Sequence, residues 1–131
     1  MSLFVDASAM VAMMVKEADH IILERQFGLD DDRLCSALSL WETARALVKI
    51  RSISIVQAEA DCETFVHTFD MRMVPIGAAE ASMAIRAFDV YGRGKHPARL
   101  NMGDCFAYAC ARTNDARLLY KGDDFSQTDL A

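Results

Sequence analysis

Strand-length apolar stretches alternating with amphipathic helical ones constrain this chain more than any other feature. Residues 3–6, 33–37, 72–74 and 117–120 read as short strands. Helices are expected over residues 7–16, 18–28, 40–51, 54–70, 78–91 and 102–114, where apolar side chains recur three and four residues apart. Ser39 is the expected N-cap of the third helix, and Gly28 the expected stop of the second. Such alternation predicts an α/β fold with a short, mainly parallel central sheet. In sheets of that kind, ligands bind beyond the carboxyl ends of the strands.

The 131 residues suffice for one domain, 1–131, with a core that needs no staples. Hydrophobic residues make up 53%, enough for a packed interior and an exposed apolar patch besides. No apolar run approaches the roughly 20 residues that cross a bilayer, and the N-terminus has no basic region or cleavage site, so a cytosolic location is expected. Cys35, Cys62, Cys105 and Cys110 show no Cys-x-x-Cys spacing and read as reduced core thiols. His20, His67 and His96 are scattered, which leaves no zinc-ligand pattern. The net charge of −5 argues against a generic high-affinity nucleic-acid binder, but it does not exclude a nuclease whose acidic centre is neutralised by cations.

Acidic residues stand at element boundaries. Asp6 closes the first strand, Glu42 lies early in the third helix, Asp104 opens the last one, and Asp123-Asp124 follow the last apolar run. Each has an ordinary structural explanation. Asp6 suits an N-cap, Glu42 favours a helix dipole or pairs with Arg45, Asn101 and Asp104 have the spacing of a capping box, and the tail pair suits a turn beside Gly122. Together, however, carboxylates gathered at strand ends repel one another unless a cation lies between them. An oxygen-only donor set suits Mg²⁺ or Mn²⁺. Of the tail pair, Asp124 is preferred because the adjacent Phe125 should anchor it to the core.

The segments FVDASA (4–9), WETARAL (41–47), LNMGDCFAYA (100–109) and LLYKGDDFSQTD (118–129) together resemble PIN-domain proteins of the VapC toxin type. The resemblance runs in order over nearly the whole chain. It implies a three-layer α/β/α domain, a Mg²⁺- or Mn²⁺-dependent ribonuclease, a homodimer and a cognate antitoxin occupying the active-site groove. Carried over by motif, Asp6 and Asp104 correspond to the principal metal ligands with Glu42 beside them, and Asp123 or Asp124 serves as the fourth acid. Ser8 matches a small hydroxyl near the first acid, and Asn101 a polar residue ahead of the third.

RNA must also be held by its phosphates. Arg45 and Lys49 share the Glu42 face of their helix, and Arg93, Lys95, His96 and Arg99 lie in a basic loop, residues 92–100, expected to be mobile. Tyr91, Tyr108 and Tyr120 favour core packing over base stacking. Met10, Met13, Met14, Val15 and Ile21-Ile22 make the first helices unusually apolar, which suits burial or a groove for an amphipathic antitoxin segment. The competing readings are a degenerate PIN-like binding module and a structure-specific DNase. A receiver domain would need an acidic pair after the first strand, and Asp6 stands there alone.

Overall fold

A computed structural model describes residues 1–131. Four strands, β1 (Ser2–Val5), β2 (Asp32–Cys35), β3 (Arg72–Met73) and β4 (Ala116–Leu119), form one sheet in the order β3-β2-β1-β4. Every pairing is parallel, with Phe4 opposite both Leu34 and Leu118. The helices are α1 (Ala7–Met14), α2 (His20–Phe27), α3 (Ala37–Arg51), α4 (Ile55–Thr68), α5 (Ala78–Tyr91) and α6 (Met102–Thr113).

Strand side chains alternate between two faces, and the core divides accordingly. Phe4, Leu34 and Leu118 point into a cluster with Ala84 and Ala87 of α5 and with Cys105, Tyr108 and Ala109 of α6. Leu3, Val5, Cys35 and Leu119 point the other way, onto Met10 and Met13 of α1 and Leu23 and Phe27 of α2. A smaller cluster, Ala44, Leu47, Ala58 and Cys62, joins α3 to α4. The result is a three-layer α/β/α arrangement. All four cysteines are buried free thiols, as their apolar settings suggested.

Three local expectations are corrected. Helix α3 begins three residues earlier than its pattern indicated, because Ser36 is the N-cap and Ser39 is the N3 partner of a reciprocal capping box. The periodicity of α5 predicts Ala81, Ala84, Ile85 and Phe88 on its buried face, but the helix buries Ala84 and Ala87, whereas Ile85 and Phe88 are 71% and 43% exposed. Its close neighbour α6 offers Ala107 and Ala111, so alanines meet alanines and the larger residues turn outward. Residues 92–100 are tied down: Leu100 N donates to Tyr91 O at 3.0 Å, Arg93 N donates to Leu100 O at 3.2 Å, and Ala98 and Leu100 are buried.

Candidate active site

The acidic residues meet at the carboxyl end of the sheet. Asp6 follows β1 directly, and its N–H continues the β1–β4 pairing by donating to Leu119 O at 2.9 Å. It also caps α1: Oδ2 accepts from Ser8 N at 3.0 Å and from Ser8 Oγ at 2.6 Å. Ser8 Oγ in turn accepts from Lys121 N at 3.0 Å. One hydroxyl therefore links the first acid to the tail segment that carries the last.

Asp104 is the third residue of α6 and part of the capping box its spacing announced. Its Oδ2 accepts from Asn101 N at 3.0 Å, and its own N–H donates to Asn101 Oδ1 at 2.9 Å. Glu42 reaches across from α3, and its carboxylate lies over Gly103. A methyl group at position 103 would overlap that carboxylate, 2.7 Å from its Cδ and 2.9 Å from Oε1. A glycine at this position permits the close approach. What approaches it is a side chain from α3, which no local pattern reveals.

The tail runs beside these acids, since Lys121 N donates to Ser8 Oγ. Phe125 is 1% exposed and packs edge-on against Tyr120 at 5.1 Å, which fixes the turn before it. Asp123 shapes that turn, its carbonyl accepting from Ser126 N at 3.1 Å and Ser126 Oγ at 2.7 Å. Asp124 is exposed, yet its charge acts on both Asp6 and Asp104. Lys121, not singled out from the sequence, holds this segment to the α1–α2 connection through Glu17 at 2.8 Å. Its position within the Leu-Leu-Tyr-Lys-Gly-Asp-Asp run was the available signal.

Burial and mutual repulsion leave these carboxyls unusually proton-loving. Glu42 is pushed up to about 7, by desolvation first and then by the charges of Asp6 and Asp104. Asp104 rises to about 6, mainly by desolvation, with Asn101 opposing and Asp124 and Asp6 adding. Asp6 is raised by burial although both Ser8 bonds favour its charged form. No three His, Cys, Asp or Glu side chains are arranged to close on one ion as they stand. The donor set nevertheless fits a hard divalent cation: it is all oxygen, and a positive charge would relieve a repulsion visible in three residues.

The basic residues have different partners. Arg45 lies over the Trp41 ring at 5.2 Å rather than against Glu42, and Lys49 is exposed. Lys95 pairs with Asp89 at 3.2 Å, while His96 Nδ1 accepts from Ala98 N at 3.0 Å. Arg93 is exposed, and its charge reaches Asp104. Arg99 is exposed, with a left-handed backbone at φ 55°.

An α/β/α sandwich with strand order β3-β2-β1-β4 and acids at the strand ends defines the class: residues 3–130 match the family model described as PIN domain, and the chain belongs to that family. Within it, the similarity is to VapC ribonucleases. A VapC ribonuclease of Rhizobium meliloti (strain 1021) is 37% identical, over 97% of this chain and 98% of its own length. Ribonuclease VapC30 of Mycobacterium tuberculosis (strain H37Rv) is 38% identical over 97% of this chain and 95% of its own. Among solved structures, the sarcin-ricin-loop-cleaving toxin VapC20 of M. tuberculosis superposes with a TM-score of 0.75 at 18% identity, covering 95% of this chain and 92% of that one. A toxin–antitoxin complex from Klebsiella pneumoniae gives 0.72 at 14% identity, covering 99% and 94%.

Proposed function

We propose that this chain is the toxin of a toxin–antitoxin pair and hydrolyses RNA phosphodiester bonds with Mg²⁺ or Mn²⁺ held by Asp6, Glu42, Asp104 and Asp124. The observation that carries the reading is the gathering of three buried or half-buried carboxyls at the strand ends, each raised by burial and by its acidic neighbours. When bound, the ion supplies charge neutralisation at the phosphate and a water of lowered pKa.

The chain's own residues do the positioning. Ser8 and Asn101 each engage one carboxylate oxygen, of Asp6 and Asp104, and so orient the other. Their hydrogen bonds fix both acids before any ligand arrives, as a preorganised site requires. Glu42 lacks such a tether and owes its place to the space above Gly103. Asp124 adds charge from the solvent side.

Besides the active-site groove that the family implies for the antitoxin, an apolar contact surface for it lies in the groove between α1, α2 and α4. That groove encloses about 390 Å³ and is lined by Met13, Met14, Phe27, Phe65 and Phe69, which suits the buried face of an amphipathic segment. A homodimer belongs to the same reading, with Ile85, Phe88 and Met102 as apolar surface to cover. No helix is long and apolar enough to cross a membrane.

The test is cleavage of matched RNA and DNA oligonucleotides with Mg²⁺ or Mn²⁺, with and without EDTA. RNA cleavage that EDTA abolishes is expected. Cleavage that survives EDTA would sink the metal mechanism, and a preference for DNA would make the chain a DNase.

Glu42 supplies a sharper check. An alanine inside a helix is ordinarily favoured over glycine by about 1 kcal/mol. In Gly103→Ala, however, the methyl group displaces the Glu42 carboxylate, the free end of a flexible side chain. The variant is expected to melt at or above the wild-type temperature while losing roughly tenfold or more in kcat/KM. Unchanged activity would remove Glu42 from the site.

A further inference from the structure

We propose that Arg93 is the phosphate-gripping residue of this active site, taking a phosphate of the bound RNA strand on the Asp104 side of the acidic centre. The inference rests on the ribonuclease reading and adds to it a residue that recognises substrate. Four carboxylates repel a polyanion, so a nuclease built on them needs a fixed cation close by that is not already spent on a protein carboxylate.

The fold places Arg93 to meet that need. The chain leaves α5, turns through residues 92–99 and returns so that Gly92 bridges Leu100. The Arg93 N–H donates to Leu100 O at 3.2 Å, immediately before the Asn101–Asp104 capping box. Arg93 is thereby held beside the first turn of α6, although eleven positions separate it from Asp104 in sequence. The hook is firm. Tyr91 packs edge-on to His96 at 5.1 Å and lies 5.7 Å from Tyr108. Gly92 has no room for a side chain, since a Cβ there would stand 2.6 Å from the Phe88 ring.

The other cations are placed differently. Lys95 is paired with Asp89, and Arg45 rests on Trp41. Arg93 is exposed and forms no ion pair within 4.0 Å, yet its charge is felt by Asp104. A guanidinium offers a planar fork that grips phosphate oxygens two at a time, which an ammonium does not. The N-terminus of α6 beside it favours the same negative ligand.

The test compares wild type, Arg93→Ala, Arg93→Lys and Arg25→Ala, the last removing an equal charge from α2. Binding of a fluorescein-labelled single-stranded RNA is followed by anisotropy across a salt series, with Ca²⁺ replacing Mg²⁺. Cleavage is measured separately in Mg²⁺. For Arg93→Ala the slope of log K against log salt should fall by about 0.7, the loss of one single-strand phosphate contact. KM should rise roughly tenfold with kcat changed far less, as for a contact made equally in ground and transition states. Arg93→Lys should recover the slope but only part of the affinity. If Arg93→Ala matches Arg25→Ala in slope, affinity and KM while wild type cleaves RNA, the assignment falls and the ribonuclease reading stands. A wild type that neither binds nor cleaves RNA overturns both.

Discussion

Asp6→Asn and Asp104→Asn should each lower RNA cleavage by on the order of a hundredfold or more while the protein stays folded. Loss of groups that merely orient a metal ligand costs about 10- to 100-fold, so loss of a ligand's charge should cost at least that. Asparagine makes these experiments clean because both acids also have structural duties. At position 6 both Ser8 donors converge on a single oxygen, Oδ2, which an amide oxygen can replace. At position 104 the Asn101 N–H likewise needs one acceptor. Asparagine is as good an N-cap as aspartate, so the caps survive and only the charge is lost. Asp123→Asn is the matched control, because Asp123 contributes its backbone carbonyl to the turn. Measured kcat/KM on labelled RNA, alongside a melting curve, decides the matter. Folded asparagine variants with wild-type activity would end the proposed mechanism.

Much of this centre was legible in the sequence because local rules place it. A strand end, an Asp-x-Ser cap and an Asn-x-x-Asp capping box are short-range patterns, and all three occur where the residues indicated. The parallel sheet followed from alternation alone. What could not be read depends on contacts between distant elements. Glu42 owes its position to a glycine on another helix, and Lys121 meets Ser8 across 113 positions. Periodicity misjudged α5 because it ranks residues by hydrophobicity, whereas the tight α5–α6 contact selects for size; alanines won the interior and Ile85 was left outside. The setting of Arg45 was hidden for a similar reason. Sharing a helix face with Glu42 did not reveal that the Arg45 guanidinium lies over the Trp41 ring.

The metal-free protein should become more stable as pH falls from about 7 to about 5, the reverse of ordinary acid weakening. Glu42 is raised to about 7 and Asp104 to about 6, and Asp6 is raised as well, against unfolded values of 4.5 for Glu and 3.8 for Asp. Between those limits the folded chain binds more protons than the unfolded one. Stability therefore falls as pH rises through the window and is fully present only below the unfolded values. Asp32 opposes this at the acid end. Arg72 and Ser2 hold its pKa down to about 2, so its contribution is lost as pH drops below about 4 and the rise ends there. For Asp104 the penalty at pH 7.5 is on the order of 2 kcal/mol, or about 5 °C or more in Tm for a chain of this size. Asp104→Asn should thus melt higher than wild type in EDTA at pH 7.5, and the difference should shrink toward pH 5. Added Mg²⁺ or Mn²⁺ should stabilise wild type at pH 7.5 and the variant much less, because an ion that binds only the folded state stabilises by its occupancy. A Tm that is flat or falling from pH 7 to 5 in EDTA would mean the carboxyls are not held at the cost their burial implies. A stabilised variant that also fails to cleave would tie both properties to one cause, since the repulsion that weakens the empty protein is what an ion at these acids would relieve.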